Sequence, residues 1–539
     1  MDDKIKEMPI KTKQELPEVT LSVLDPAQHL GSSKEYSIQH QGDQAVLGEK
    51  LSTIGAIALG YTSLSTWSAY SSSAATALAS GGANVLVWGI LIVGVCNMAA
   101  GVTIAEPASQ FPNAAGQAAW VYKLQGRFLS YFTSWIVLLG WVFLAVAGQS
   151  IVTTIVLAMA NLTFPSYDIK DWHVSLTIIA AALFSFVVAN FASTLISRIN
   201  VMAFTISVVG FFSIILTLLV QSRGHYNTVE FALVDIVNMS GWSSSFIPWV
   251  LGLSQAALST TAFDAPAHFS EELRQPSKQV PIAILGSLGT SVIMTLCYAF
   301  VLVFTIPQLD EIMATTTGFP FAEILKIKTS TAGAIILLMI PLIQFMIAIS
   351  DVAMAANRCV YGLSRQHGFP FSRFFGHINV KFDCPLRAGV LTLVVESLIG
   401  LIYIGNTAAF NALISAPAIL LGTSYSTVAG VCLAARWRAG KKTAATASDK
   451  VLHDGDDHDA PGNSAWKPPF KMPSWLTISC NVLTIVFTLL LCVFLSLPPS
   501  NPVNGSNTNY TSVFYIFSLI VPCVCWYFYR NVYQGPLIH

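Results

Sequence analysis

Charge is what this sequence has least of. Asp, Glu, Lys and Arg make up 10% of its 539 residues, against roughly a quarter in a typical soluble protein. A chain so poor in charge has too little to clothe a large water-facing surface. The 28 basic and 28 acidic side chains also cancel, which excludes the basic excess of a nucleic-acid binder or of a protein held electrostatically on a membrane surface. The nine cysteines lie in apolar segments or in loops expected on the cytosolic side, and they lack metal-ligand spacing. No structural disulfide, metal site or cofactor is expected. The ten histidines are scattered, with no HExxH pattern, so the clustered side chains a membrane-embedded enzyme needs, catalytic residues included, are missing. Residues 1–47 are polar and have no early apolar core that would serve as a cleavable signal, so this tail is expected to stay cytosolic.

What is present is a series of long hydrophobic runs. A bilayer core about 30 Å thick needs roughly 20 apolar residues per helix. Twelve stretches qualify: 48–78, 84–105, 129–160, 174–195, 199–221, 245–268, 281–306, 331–355, 386–404, 408–434, 474–497 and 511–530, numbered here as spans 1 to 12. The expected fold is therefore an all-α integral membrane protein embedded in a lipid bilayer. With the amino terminus inside, 24 of the 28 Lys and Arg residues fall on inner segments, leaving Lys170, Arg223, Lys326 and Lys328 outside. That bias predicts cytosolic termini. The four N-x-S/T sequons, candidate glycosylation sites at Asn161, Asn238, Asn504 and Asn509, all fall on the opposite side. The hydrophilic stretch 435–473 (SDKVLHDGDDHDAPGNS within it) reads as a disordered cytosolic loop between a ten-span core, 48–434, and spans 11 and 12 within 474–530. Residues 531–539 form a cytosolic tail. The plasma membrane is the expected location, with the vacuolar or another internal membrane as the alternative; oligomeric state is left open.

Two spans carry an unusual interior. Span 1 meets GYTSLSTWSAYSSSAA near mid-membrane, and span 6 passes from FIPWVLGLSQAAL into Ser259, Thr260, Thr261, Ala262, Phe263, Asp264, Ala265 and Pro266. Interrupted segments five spans apart point to an inverted-repeat transporter with its binding site at the breaks. Unwinding frees backbone groups, which the bilayer interior tolerates only around a polar cavity. The alternative is that small residues simply allow close helix packing. The candidate solute-binding residues are Gly60, Thr62, Ser63, Ser65, Thr66, Trp67, Ser259, Thr260, Thr261, Phe263 and Asp264. A mid-helix acid is costly, by about 2.5 to 3.5 kcal/mol on insertion scales, so Asp264 is the first choice for a cationic nitrogen. Trp67 and Phe263 offer cation–π faces, or serve packing alone. His268, at i+4 from Asp264, either relays a proton or packs. Glu396 of span 9 is a coupling candidate or a hydrogen-bonded structural acid, and Glu106 at the end of span 2 is a gating candidate.

These residues resemble the amino acid-polyamine-organocation superfamily, and within it the fungal amino acid/choline transporters. Gly60 to Trp67 followed by Ser80, Gly81 and Gly82 is similar to that family's G-x-x-x-x-x-x-W stretch and Ser-Gly-Gly turn. EPASQFPNAAGQAAWVY resembles its E-L-A-S-x-x-P-x-x-G-G-Q-Y-x-W loop in Glu106, Ser109, Pro112, Gly116, Gln117 and Trp120, with Pro107, Ala115 and Ala118 departing. AFDAPAHFSEELRQPSKQVPIAI places Asp264, His268, Glu271, Glu272, Pro276 and Pro281 in the family register, and RCVYGLSRQHGFPFS matches with Gln366 in place of Asp. The resemblance implies the leucine-transporter fold, 5+5 inverted repeats plus two helices. It also implies alternating access and proton-driven uptake of an amino acid, a GABA-like compound, choline or a related amine. Span 5 lacks the lysine that some bacterial relatives use in place of a coupling sodium. An exporter or exchanger of a nitrogenous metabolite, or a nutrient sensor on the same fold, are the alternative readings.

Overall fold

The computed structural model describes residues 51–536 except 314, 316–317, 380–381, 383, 449–467 and 505–507, and no side chains at 310, 313 or 440–448. The tail 1–47 and about half of the 435–473 stretch, residues 449–467, thus lie outside the described residues. Among the described residues, ten helices are long and apolar enough to cross a membrane. They are the spans expected to be continuous, now bounded as Ala83–Gln110, Arg127–Thr163, Asp171–Phe191, Ser193–Gln221, Pro276–Thr305, Thr331–Arg365, Leu386–Gly405, Thr407–Ala439, Ser474–Phe494 and Thr511–Tyr529. The other two traverses, spans 1 and 6, are the two read as interrupted. Span 10 continues as helix to Ser448, into the stretch expected to be loop, and span 8 runs to Arg365, ten residues past its expected end at 355.

Hydroxyl side chains crowd both breaks and bond to the backbone there. In span 1, Ser65 Oγ donates to Thr62 O at 2.5 Å, and Ser71, Ser72 and Ser73 donate to Trp67 O, Ser68 O and Ala69 O. Such bonds compete with the helical ladder. The span is split into Thr53–Leu64, Thr66–Ser72 and Ala74–Gly81, with Ser65 left-handed at φ 43°. In span 6, Thr260 and Thr261 donate to Ala256 O and Ala257 O at the end of Phe246–Ser259, and Ala262 is left-handed at φ 84° before the short turn Ala265–His268. Two non-glycine residues forced to positive φ at corresponding points mark one motif used twice.

The packing follows the same duplication. Span 2 lies along span 7, span 3 along span 8 and span 4 along span 9; exchanging spans 1–5 for 6–10 maps each pair onto itself. Span 1 against span 7 becomes span 6 against span 2, and span 3 against span 10 becomes span 8 against span 5; all four contacts occur. The fold is the expected inverted repeat, with spans 11 and 12 packed outside it. Span 2 is central, with 72% of its apolar window buried, whereas only 17% is buried in span 12. Leu183, Val209, Phe212, Val513 and Ile520 are exposed on this rim, the surface a lipid-facing protein presents.

Candidate functional site

Below, the Lys/Arg-rich side is called the basic face and the other the sequon face. At the breaks lies a cavity of 50 Å³ walled by Ser63, Ser259 and Thr261 from the two interrupted spans and by Gly148, Ile349 and Val352 from spans 3 and 8. Ser73 and Leu258 separate it from a vestibule of 430 Å³ towards the sequon face, lined also by Ser80, Gln255 and Asn411. The vestibule lies in the size range of ligand sites. The inner cavity holds a few waters at most, so a solute enters only as its walls part. Ser63 Oγ is buried on this wall without a hydrogen-bond partner, as are Thr62 Oγ1 and Thr66 Oγ1 nearby.

Towards the basic face the path is closed. Asp264, fully buried, accepts Gln117 Nε2 and Tyr425 OH, both at 2.6 Å. His268 Nε2 accepts Trp141 Nε1 at 3.1 Å, so the ring proton sits on Nδ1, against Ala114 O at 3.0 Å. The same Nε2 lies 3.4 Å from Asp264 Oδ2. Gly116, at φ 52°, allows the close approach, since a Cβ there would lie 3.1 Å from His268 Cε1. Further in, Glu272 pairs with Arg358, whose guanidinium stacks 3.6 Å over Phe269. Glu106 pairs with Arg436 and accepts Thr477 Oγ1 at 3.0 Å, tying spans 2, 10 and 11 together.

Of the expected binding residues, Ser63, Ser259 and Thr261 reach the cavity. Ser65 makes the break itself. Gly60 is the close approach of span 1 to Ser287 and Pro266, and Thr260 accepts Asn97 Nδ2 at 2.6 Å. Trp67 stands away from the cavity: its indole donates to Ser207 Oγ at 2.8 Å and packs on Phe211 and Tyr298. Phe263 packs on Tyr425 with ring centroids 4.6 Å apart, and Asp264 also lies off the cavity wall, its oxygens engaged by protein donors. Glu396 accepts Gln149 Nε2 at 2.6 Å. Among the sequons, Asn238 is exposed, whereas the amide of Asn161 is buried and donates to Tyr167 O, and that of Asn509 donates to Leu495 O and Leu497 O; Gly505 and Ser506 of the Asn504 sequon lie outside the described residues. Sequence reasoning missed Ser73, Trp141, Tyr425 and Asp351. An acid in an apolar run was signal enough for Asp351, but ending span 8 at 355 put it near a membrane edge.

Interrupted spans around a small, largely apolar cavity edged by Ser63, Ser73, Ser259 and Thr261 coincide with a sequence match to the family described as amino acid permease, over residues 51–519. The chain belongs to that family. It is 28% identical over 463 residues to the choline transporter of Saccharomyces cerevisiae, covering 85% of this chain and 77% of the yeast protein. It is 27% identical over 463 residues to a putative amino acid/polyamine transporter of Macrophomina phaseolina, covering 85% and 96%. To amino-acid permease 2 of Neurospora crassa it is 25% identical over 472 residues, covering 86% and 81%. The chain is thus a multi-pass membrane permease of the amino acid-polyamine-organocation superfamily, not an enzyme.

Proposed function

We propose that this permease is a secondary active transporter that takes up a small nitrogenous solute, an amino acid, a GABA-like compound, choline or a related amine, by proton-coupled alternating access. It does so across the plasma membrane, with both termini in the cytosol. The observation that carries this reading is the cavity where the two broken spans meet, with the partnerless Ser63 hydroxyl on its wall. Buried polar groups are ordinarily bonded, and one left open beside a cavity is a place for a ligand. The vestibule above and the bonded cluster below correspond to an outward-facing state. Proton coupling is supported by the buried ionisable pair Asp264 and His268, 3.4 Å apart within the closure formed with Gln117 and Tyr425, since ionisable groups inside a membrane mark ion and proton pathways.

The test is uptake of labelled amino acids, γ-aminobutyrate, choline and polyamines into cells lacking their own permeases, with and without a proton uncoupler. Saturable, uncoupler-sensitive uptake of one of these, abolished by Asp264→Asn at normal surface expression, is expected. No saturable flux in either direction, or flux untouched by the substitution, would overturn the reading.

A further inference from the structure

Three acids in the spanning region are each held by a carboxamide from the opposite repeat. Gln117 holds Asp264, Gln149 of span 3 holds Glu396 of span 9, and Asn200 of span 5 donates Nδ2 to Asp351 Oδ1 of span 8 at 3.0 Å. In every pair the amide's own oxygen is buried without a partner. Asp264 fills its second oxygen with Tyr425. Asp351 does not: its Oδ2 and Asn200 Oδ1 are both partnerless acceptors, and both residues are almost fully buried; Glu396 Oε1 and Gln149 Oε1 share that deficit, but only Asp351 lies on span 8 between the cavity-lining Ile349 and Val352 and the ion-paired Arg358.

Two unfilled acceptors on adjoining groups amount to a deficit of one hydrogen. A proton on Oδ2 removes a charge that the bilayer interior disfavours and supplies a donor. Each group turns about one soft terminal torsion. Asp351 Oδ2–H can then bond to Asn200 Oδ1 while Asn200 Nδ2 keeps Asp351 Oδ1, closing the two-bond ring of an acid–amide pair.

The position gives that proton somewhere to go. Ile349 and Val352, flanking Asp351, line the central cavity, and Arg358, two turns further towards the basic face, lines a crevice that opens there. Arg358 is the charged group that bears electrostatically on Asp351, and here it is committed to Glu272. On the neighbouring elements, Tyr61 bonds Ser207, His268 bonds Trp141, and Glu396 bonds Gln149. Among the described residues no hydrogen bond or ion pair joins these, or Arg198 at the start of span 5, to Asp351.

We propose that Asp351 is a proton-carrying acid of the transport cycle, loaded in the state described here and emptied towards the basic face when the Glu272–Arg358 pair parts. Release breaks the Oδ2–H bond; the proton passes to water in the crevice and the electron pair stays on the carboxylate, whose charge the freed Arg358 balances. An adjacent opposite charge favours the ionised carboxyl, so the parting of the inner pair itself drives release. Reloading takes a proton from the sequon face by way of the cavity. This step rests on the proposed proton-coupled transport and assigns it a carrier.

Asp351→Asn is the test, because it retains both hydrogen bonds of the ring and has no proton to release. Full-length protein in liposomes is assayed with labelled choline or γ-aminobutyrate, whichever the uptake panel returns. Counterflow at equal pH should stay within about twofold of wild type. Accumulation driven by a one-unit pH gradient, about tenfold at one proton per solute, should be lost. Wild-type accumulation in the variant would overturn the proposal, whereas absence of counterflow in the wild-type protein would overturn the transport reading instead. A measurement that needs no variant is infrared spectroscopy of the wild-type chain labelled at the aspartate carboxyl carbon. An isotope-shifted carboxylic-acid carbonyl band at neutral pH is expected, and its absence equally overturns the proposal.

Discussion

Ser63 is the side chain at which stability and function pull apart. Its hydroxyl is buried and contributes no hydrogen bond to the fold, and the residue lines the cavity. Ser63→Ala should therefore leave thermal stability unchanged. It should raise KM for the transported solute by about 2- to 10-fold with little change in maximal rate, the worth of one neutral hydrogen bond. Initial-rate uptake checks this, and an unchanged KM would remove Ser63 from the site. Asp264 is the contrasting case, for both its oxygens are used by Gln117 and Tyr425. The sequence marks Asp264 as a costly acid within a span, and its burial was legible. Its partners were not, because Gln117 and Tyr425 lie 147 and 161 residues away along the chain and no local pattern announces such a meeting. The same applies to Trp67: next to a break it reads as a cation-binding face, and only the packing of span 5 turns its N–H to Ser207.

At the scale of elements, the breaks were readable because clusters of Ser and Thr in an apolar run have a local chemical effect, capture of carbonyls, that needs no tertiary partner. What composition does not reveal is the sharpness of the turn. Ala262 at φ 84° has no glycine to relieve it, a conformation that costs an ordinary L-residue about 1 to 2 kcal/mol. Ala262→Gly should raise the melting temperature in detergent, and Ala262→Val, with a branched Cβ at the same φ, should lower it. Equal melting temperatures for all three would mean that the turn relaxes rather than holding the left-handed form. Element ends were the least legible feature: span 8 loses its apolar character near Arg358, yet the helix continues because Arg358 is neutralised by Glu272 and stacked on Phe269.

For the whole molecule, closure on the basic face also involves the residues after span 12. Tyr533 is fully buried and within hydrogen-bonding distance of Ser130 Oγ at 3.0 Å; Arg127 donates to Tyr533 O, and Gln534 N donates to Gln366 O at 3.0 Å. Burial pushes the Tyr533 phenol up to about 12, so it keeps its proton at any physiological pH. These contacts join the start of span 3 to the loop after span 8. Tyr533→Ala should loosen them and speed the reaction of Cys359, next to Arg358, with a thiol reagent applied from the basic face; an unchanged rate would show that the tail does not restrain that side. The duplication sets a further consequence. Because spans 2 and 7, 3 and 8, and 4 and 9 each pack against their own counterpart, the interface between repeats is isologous, like that of a twofold dimer whose two subunits are joined in one chain. Each position near the pseudo-axis therefore meets its own equivalent. The acid–amide bridges lie between non-equivalent positions, each with its carboxyl in the second repeat and its amide in the first, so the two otherwise interchangeable halves are chemically unlike where they meet.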